Sequence, residues 1–335
     1  MNIKDIAKLA NVGVSTVSRV INNSPDVKES TREKIKNVIK KYNYVPNNGA
    51  RMLKQNRTKN IGLLVKGVFN PFFSEMTSII GSEIVKNGYS MIMEQNDFTR
   101  LDDVDTLISF IKEKKLRGAI CLGGNFVDIN NDSFNEITIP LVLASVDSVD
   151  YNDGGNYSSI GIDNRNAGYE ATKYLIKNGH KKIAIIIGDY EDRGISLLRL
   201  EGYKRALKES KIKEEYILNA NYSSFDAYDV TKEFLKKNGD SVTAIFALSD
   251  IMAMGVAKAV LDSNYKIPQD ISILGFDGMA ESKFYNPEIS TVEQPKGKMA
   301  KASIELLFSL IDKKSENKHM VLKTKIIERS SVLSK

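Results

Sequence analysis

Eight short apolar runs alternate with amphipathic stretches from Ile61 onward, and this alternation limits the fold more than any other feature. The runs are IGLLV (61–65), YSMIM (89–93), GAICL (118–122), PLVLA (140–144), SIGI (159–162), KIAIII (182–187), AIFAL (244–248) and ISILGF (271–276). Strands apolar along their whole length cannot face water on either side. They belong in parallel sheets with helices on both faces. The 275 residues from Ile61 are many for one such sheet, so two lobes are expected.

The first 60 residues are of another kind. Residues 3–22, IKDIAKLANVGVSTVSRVIN, place Ile6, Ala7 and Ala10 on one helical face, then Val17, Val20 and Ile21 on another after the turn Asn11-Val12-Gly13. Two short helices split by a small-residue turn, the second rich in Ser and Thr, fit a helix-turn-helix for the DNA major groove. A third helix is expected over Ser30–Tyr42, with Ile35, Val38, Ile39 and Tyr42 on one face. Residues 1–60 carry 13 Lys and Arg against four acids, a net of +9, whereas residues 61–335 carry −3. The positive field therefore coincides with the helix-turn-helix, as a polyanion-binding module on a neutral body requires.

Ligands of open α/β sheets sit beyond the carboxyl ends of the strands. The residues that follow the runs are Asn70, Phe72 and Phe73; Ser145 and Asp147; Asp163; Arg193 and Arg199; Ser249 and Asp250; and Asp277. Aromatic rings, acids, two arginines and hydroxyls suit a polar ligand, with rings stacking and charged groups pairing. Each has a plainer role to set beside that one. Asp163 and Asp250 can cap helices, Phe72 and Phe73 can be core, and Arg199 with Asp277 can be an ion pair.

Val45 is biased to extended backbone by Pro46 and ends the third helix. In NNGARMLKQNRTKN, Asn47 or Asn48 can cap a short helix. Gly49 costs that helix up to about 1 kcal/mol relative to Ala, so it is expected to form only against DNA and a dimer mate.

IKDIAKLANVGVSTVSRVINN, STREKI and YVPNNGARML, followed by NPFF (70–73), IDN (162–164), RGISLLRLEGY (193–203), SDIMAMG (249–255), GFD (275–277) and EQP (293–295), resemble the LacI/GalR family of bacterial transcription repressors along essentially the whole chain. The resemblance implies an α/β fold in which a three-helix helix-turn-helix head and a hinge helix join a periplasmic-binding-protein-like core of two Rossmann-like subdomains. The implied divisions are 1–46 for the head and 47–60 for hinge and linker. The N-terminal core subdomain takes 61–161 and 292–320, and the C-terminal one takes 162–291 and 321–335. DNA contacts carried over by resemblance are Val14, Ser15, Thr16, Arg19, Asn22, Asn47, Ala50, Leu53 and Lys54, with Leu53 as a wedge in the minor groove. The strand-end residues named above, Asn70, Phe72, Phe73, Ser145, Asp163, Arg193, Arg199, Ser249, Asp250 and Asp277, become with Tyr222 the expected effector set.

Two departures qualify the likeness. Gly13 stands where the family usually has Ser or Thr, and Ser249 replaces an Asn or Asp frequent in sugar-responsive members. Arg193 and Arg199 keep a spacing seen in the purine-responsive branch. A sugar or sugar phosphate is therefore the first expected effector and a nucleobase the second.

Partners implied are double-stranded DNA at a near-palindromic operator, the small effector and a second copy of the chain. Without an appended heptad helix after IERSSV (327–332), a dimer rather than a tetramer is expected. No catalytic residue, metal or cofactor is expected. The chain lacks GxxxxGK[ST] and HExxH, the lone Cys121 reads as a small buried hydrophobe, and His180 and His319 are far apart in sequence. No secretory leader or long apolar run appears, so a cytoplasmic protein without a membrane segment is expected, and a solute-binding protein for transport is disfavoured.

Overall fold

The computed structural model describes residues 2–21, 24–42, 44, 59–67, 70–96, 103–124, 126, 133–147, 155–188 and 194–333. The chain forms two compact units, Met1–Thr58 and Lys59–Lys335.

In the first unit, α1 spans Ile3–Leu9, α2 Val14–Ile21 and α3 Glu29–Lys41. Asn2 starts α1 by accepting from the amides of Lys4 and Asp5, while the Asp5 carboxylate accepts from the Asn2 amide, a reciprocal cap. Asn11 makes the turn in the left-handed region, at φ 50°. The core is small: Ile6, Ala7, Ala10, Val17, Val20, Val27 and Ile35. Arg32 ties α3 to the preceding loop through the carbonyl of Ser24.

The second unit holds two six-stranded sheets. The first contains β1 (Asn60–Lys66), β2 (Ser90–Asn96), β3 (Gly118–Leu122), β4 (Leu141–Asp147), β5 (Ser158–Ile162) and β11 (His319–Leu322), in the order β11-β5-β4-β3-β1-β2. The second contains β6 (Ile183–Ile187), β7 (Tyr216–Asn219), β8 (Ala244–Ala247), β9 (Ser272–Asp277), β10 (Ser290–Glu293) and β12 (Lys325–Ile327), in the order β12-β10-β9-β8-β6-β7. The first sheet is parallel throughout, and in the second only β10 and β12 pair antiparallel. The eight expected strands are present. The order expected at the crossings shifts by two residues: Val292 and Glu293 still pair in the second sheet, and Val321 and Leu322 still pair in the first.

The helices are α4 (Pro71–Lys86), α5 (Asp103–Lys114), α6 (Asn164–Lys177), α7 (Ile195–Glu209), α8 (Ser224–Asn238), α9 (Asp250–Asp262), α10 (Glu281–Phe284) and α11 (Lys296–Ile311). Alternate residues of β1 divide its two faces. Ile61, Leu63 and Val65 join the cluster of Phe72, Met76 and Ile80 from α4 and Ile304 and Leu307 from α11. Leu64 faces Leu107 and Phe110 of α5. Among the described residues no helix is long and apolar enough to cross a membrane.

Helices α6 and α7 cross where glycine meets backbone. A Cβ on Gly168 would lie 2.3 Å from the carbonyl oxygen of Arg199, and one on Gly202 would lie 2.1 Å from that of Arg165. Neither backbone can yield without parting the helices. Alanine at Gly202 gains up to about 1 kcal/mol of helix propensity, but overpacking costs about 1–3 kcal/mol, or more against rigid backbone. Gly202→Ala is therefore expected to lower the urea midpoint of the body; an unchanged or raised midpoint would show that the crossing can relax.

Candidate functional site

Two surfaces carry function-bearing residues. On the head, Val17 and Val20 turn inward to the core while Val14, Ser15 and Arg19 are exposed and Thr16 is half-buried. The first turn of α2 thus presents Val14, Ser15 and Thr16, and its last turn Arg19, side chains of the kinds that read base edges and phosphates. Gly13 precedes α2 without a side-chain cap, and a Cβ there would have ordinary room, 3.5 Å from the Ser15 hydroxyl. Asn22, Asn47, Ala50, Leu53 and Lys54 lie outside the described residues.

In the body, the carboxyl ends of both sheets meet around Arg199. Arg199 is 4% exposed. Nε donates to Asn164 Oδ1 at 3.0 Å, Nη1 donates to the carbonyl of Leu248 at 2.9 Å, and the plane stacks 3.6 Å from the centroid of Phe276. Asn164 is itself oriented by Asp147 at the end of β4, whose Oδ1 accepts from its amide and side-chain nitrogen at 3.2 and 3.1 Å. Burial pulls the guanidinium below its ordinary value, against the opposing pull of Tyr222, Asp277 and Asp147.

Asp277 ends β9 with φ 110°, a rare backbone state that aims its side chain across the strand ends. It accepts from Gln294 Nε2 at 2.8 Å and from the side chain of Asn70. Asn70 accepts in turn from the Phe72 amide as the cap of α4, so one residue both starts a helix of the first lobe and reaches a strand end of the second. Lys296, at the start of α11, donates to the carbonyl of Gly278 at 2.8 Å and pairs with Glu75 of α4 at 3.4 Å. Burial raises the Asp277 carboxyl to about 6, although Arg199, Gln294, Asn70 and Lys296 all favour its anion.

Asp250 lies beside Asp277 and is fully buried. Its Oδ2 accepts from the Met279 amide at 2.6 Å, while Oδ1 has no hydrogen-bond partner. Space for Oδ1 exists only because residue 275 is glycine; a Cβ there would stand 2.2 Å from it. Burial, then the charge of Asp277, raise the Asp250 carboxyl to about 7. Tyr222, at φ 54°, rests on Gly188 and shares a 2.7 Å hydrogen bond with Ser196 Oγ. Ser145, at φ 57°, sits in a bulge of β4 two residues before Asp147.

Of the expected effector residues, Asn70, Arg199, Tyr222, Asp250 and Asp277 come together in this network. Others have structural work. Phe72 and Phe73 pack edge to face, with centroids 5.3 Å apart, inside the apolar core, which leaves no open face for stacking in this structure. Asp163 caps α6 through the Asn166 amide, and Ser249 caps α9 through the Met252 amide. Arg193 lies outside the described residues. Asn164, Ser196, Gln294 and Lys296 were not expected. Asn164 is the last residue of IDN and Gln294 the middle one of EQP, and neither follows directly on one of the eight apolar runs. Among the described residues no group of three His, Cys, Asp or Glu could hold a metal ion. Burial holds the Cys121 thiol well above its ordinary value, as an inert core residue.

Both units of the chain match known families. Residues 2–47 match the model of bacterial regulatory proteins of the lacI family, and residues 172–332 match the periplasmic binding protein-like domain. The HTH-type transcriptional regulator MalR of Clostridium butyricum is 58% identical over 333 residues, 99% of each chain. The lac repressor dimer bound to operator and the anti-inducer ONPF superposes with a TM-score of 0.81 over 99% of each chain, at 22% identity. The transcriptional regulator CelR in complex with cellobiose gives a TM-score of 0.70 over 99% of each chain, at 26% identity.

The two carboxyls impose a pH dependence whose sign is fixed. Both are raised from 3.8, so the folded state holds their protons more tightly than the unfolded chain does. Their contribution to stability is fully present below about pH 4 and is lost as pH rises through 6 and then 7. The melting temperature of the wild type should therefore fall across this window relative to Asp250→Asn; parallel curves for the two proteins would show that Asp250 titrates normally.

Proposed function

The chain belongs to the lacI family of bacterial regulatory proteins, and from that premise we propose that this transcriptional regulator binds its operator as a homodimer under the control of a carbohydrate lodged between the two lobes of the body. The observation that carries the carbohydrate is the Arg199–Asn164–Asp147 chain beside Asp277 and Asn70. It sets paired donors and acceptors side by side, the arrangement that vicinal hydroxyls satisfy. The relative crystallised with cellobiose supports the same class. A flat nucleobase would call for an open aromatic face, and Phe72 and Phe73 offer none.

Val14, Ser15, Thr16 and Arg19 read the half-site, with Asn22, Asn47, Ala50 and Lys54 on DNA as well and Leu53 in the minor groove. The body divides into subdomains 59–162 with 296–322, and 163–293 with 325–333, following sheet membership. Two-fold symmetry of the dimer matches that of a palindromic site. Ligand changes the relation of the lobes and, through the dimer, the spacing of the hinge segments. A coupling of about 1–3 kcal/mol alters operator affinity roughly 5- to 150-fold. A role on DNA supports a cytoplasmic location, and the site's described residues offer binding groups without a nucleophile–base pair for turnover.

Two substitutions separate the two halves of this mechanism. Leu53→Ala is expected to weaken operator binding about tenfold or more while a saccharide still raises the melting temperature. Arg199→Ala is expected to bind operator as the wild type does and to ignore saccharide, read by electrophoretic mobility shift. Retained saccharide response in Arg199→Ala would remove the cleft from the mechanism. Indifference of wild-type operator affinity to salt would remove phosphate contact, because such contacts release counterions.

A further inference from the structure

Helix α2 is eight residues long and buries only Val17 and Val20 in the core of the head. Two valines resist sliding and rolling weakly, yet recognition groups act only when held within about 0.5 Å of their working geometry. A polar tether at the carboxyl end of α2 adds the missing restraint. The amide of Ser24 donates to the carbonyl of Arg19 at 2.9 Å. That carbonyl belongs to the last turn of α2, where helix carbonyls have no partner within the helix. The carbonyl of Ser24 accepts in turn from Arg32 Nη2, at the end of the first turn of α3.

The Arg32 side chain is only 12% exposed. Nε donates to Glu29 Oε2 at 3.2 Å, and Nη2 also lies 3.5 Å from the carbonyl of Val27, the core residue of the connecting loop. One rigid fork thus joins the end of α2, the loop and the start of α3. A lysine ammonium, a compact charge on a flexible stem, cannot hold three acceptors at those fixed angles. Glu29 matches the charge of Arg32 within the head. An arginine turned toward a phosphate would leave Nε and Nη2 for DNA, whereas here both face protein acceptors.

We propose that Arg32 is a positioning residue for operator recognition: through Ser24 it fixes the carboxyl end of α2, and with it the placement of Val14, Ser15, Thr16 and Arg19, without touching DNA. This rests on the reading of α2 as the helix that meets base edges. Base contacts carry sequence preference, whereas phosphate contacts hold any duplex and set the salt dependence. Loss of the tether therefore lowers discrimination and leaves general adhesion to DNA in place.

The test uses the full-length protein and two duplexes: the one most enriched by wild type from a random-sequence pool, and a scramble of it. Both are titrated by fluorescence anisotropy over a series of KCl concentrations. Arg32→Lys keeps the charge and removes the fork. It is expected to bind the enriched duplex about tenfold or more weakly, within the discrimination of one base contact, and the scramble within about twofold of wild type. The salt slope should be that of wild type on both. An undiminished preference for the enriched duplex overturns the proposal. So does an equal loss on both, which marks a phosphate contact where the slope becomes shallower by about 0.9 per head, and a general stabiliser of the head where it does not. If Arg32→Lys does not fold, Glu29→Ala at its exposed site decides, with the preference expected to fall about threefold. An unchanged or greater preference in Glu29→Ala then overturns the proposal. Enrichment of no duplex by wild type overturns the reading of α2 along with it.

Discussion

The body depends on keeping one guanidinium charged while almost wholly removed from water. An isolated buried cation costs several kcal/mol even after relaxation. Arg199 escapes that cost only because its surroundings come from five places in the chain: Asn164 at the start of α6, Leu248 after β8, Phe276 in β9, Asp277 at its end, and Asp147 in the other sheet. Arg199 reaches Asn164 because α7 lies against α6 at backbone contact, and that contact exists because residues 168 and 202 are glycine. Helix packing, lobe arrangement and site chemistry are thus one constraint. A change at the crossing acts on the site without touching it.

Beside that cation the anions are arranged economically. Asp277 has four favourable neighbours, yet burial outweighs them and its carboxyl titrates high. Asp250 feels both burial and Asp277, so the two carboxyls are disposed to hold a proton between them near neutral pH. A neutral acid can donate as well as accept. The second lobe therefore carries groups of either polarity at its strand ends, and the unpaired Oδ1 of Asp250 stays inside the protein rather than at its surface.

Much of the fold was legible because continuous apolar runs have few alternatives; all eight became strands at nearly the expected positions. β7, β10, β11 and β12 were not legible. They are three or four residues long, and β7, β11 and β12, at sheet edges, are half-buried, so no run of apolar letters marks them. Those same short strands decide where the chain changes lobe, which is why the crossings came out two residues away. In the network, Asn70 and Asp277 could be found because each stands at or just after a strand end, whereas Arg199 lies inside α7. Elsewhere in the body, the ion pair of Lys66 with Asp103 was not legible: the partners are 37 residues apart, and nothing in either segment names the other. Phe72 and Phe73 illustrate the opposite difficulty. An aromatic pair after Asn-Pro is compatible with stacking or with core, and only packing decides.

The head poses a separate problem of balance, because the charge that attracts DNA also strains the unit that carries it. Residues 1–60 hold a net of +9 around a core of, among the described residues, seven buried apolar side chains. Self-repulsion among these cations opposes compactness and is relieved by salt, with a screening length of about 8 Å at physiological ionic strength. DNA contact responds to salt with the opposite sign, each neutralised phosphate steepening the logarithmic slope by about 0.9. For several phosphates per head the second effect is far larger, since exposed charge pairs contribute at most about 1 kcal/mol each. Operator affinity therefore falls with salt even as the free head gains stability. The operator, by neutralising the same cations, stabilises the fold that reads it.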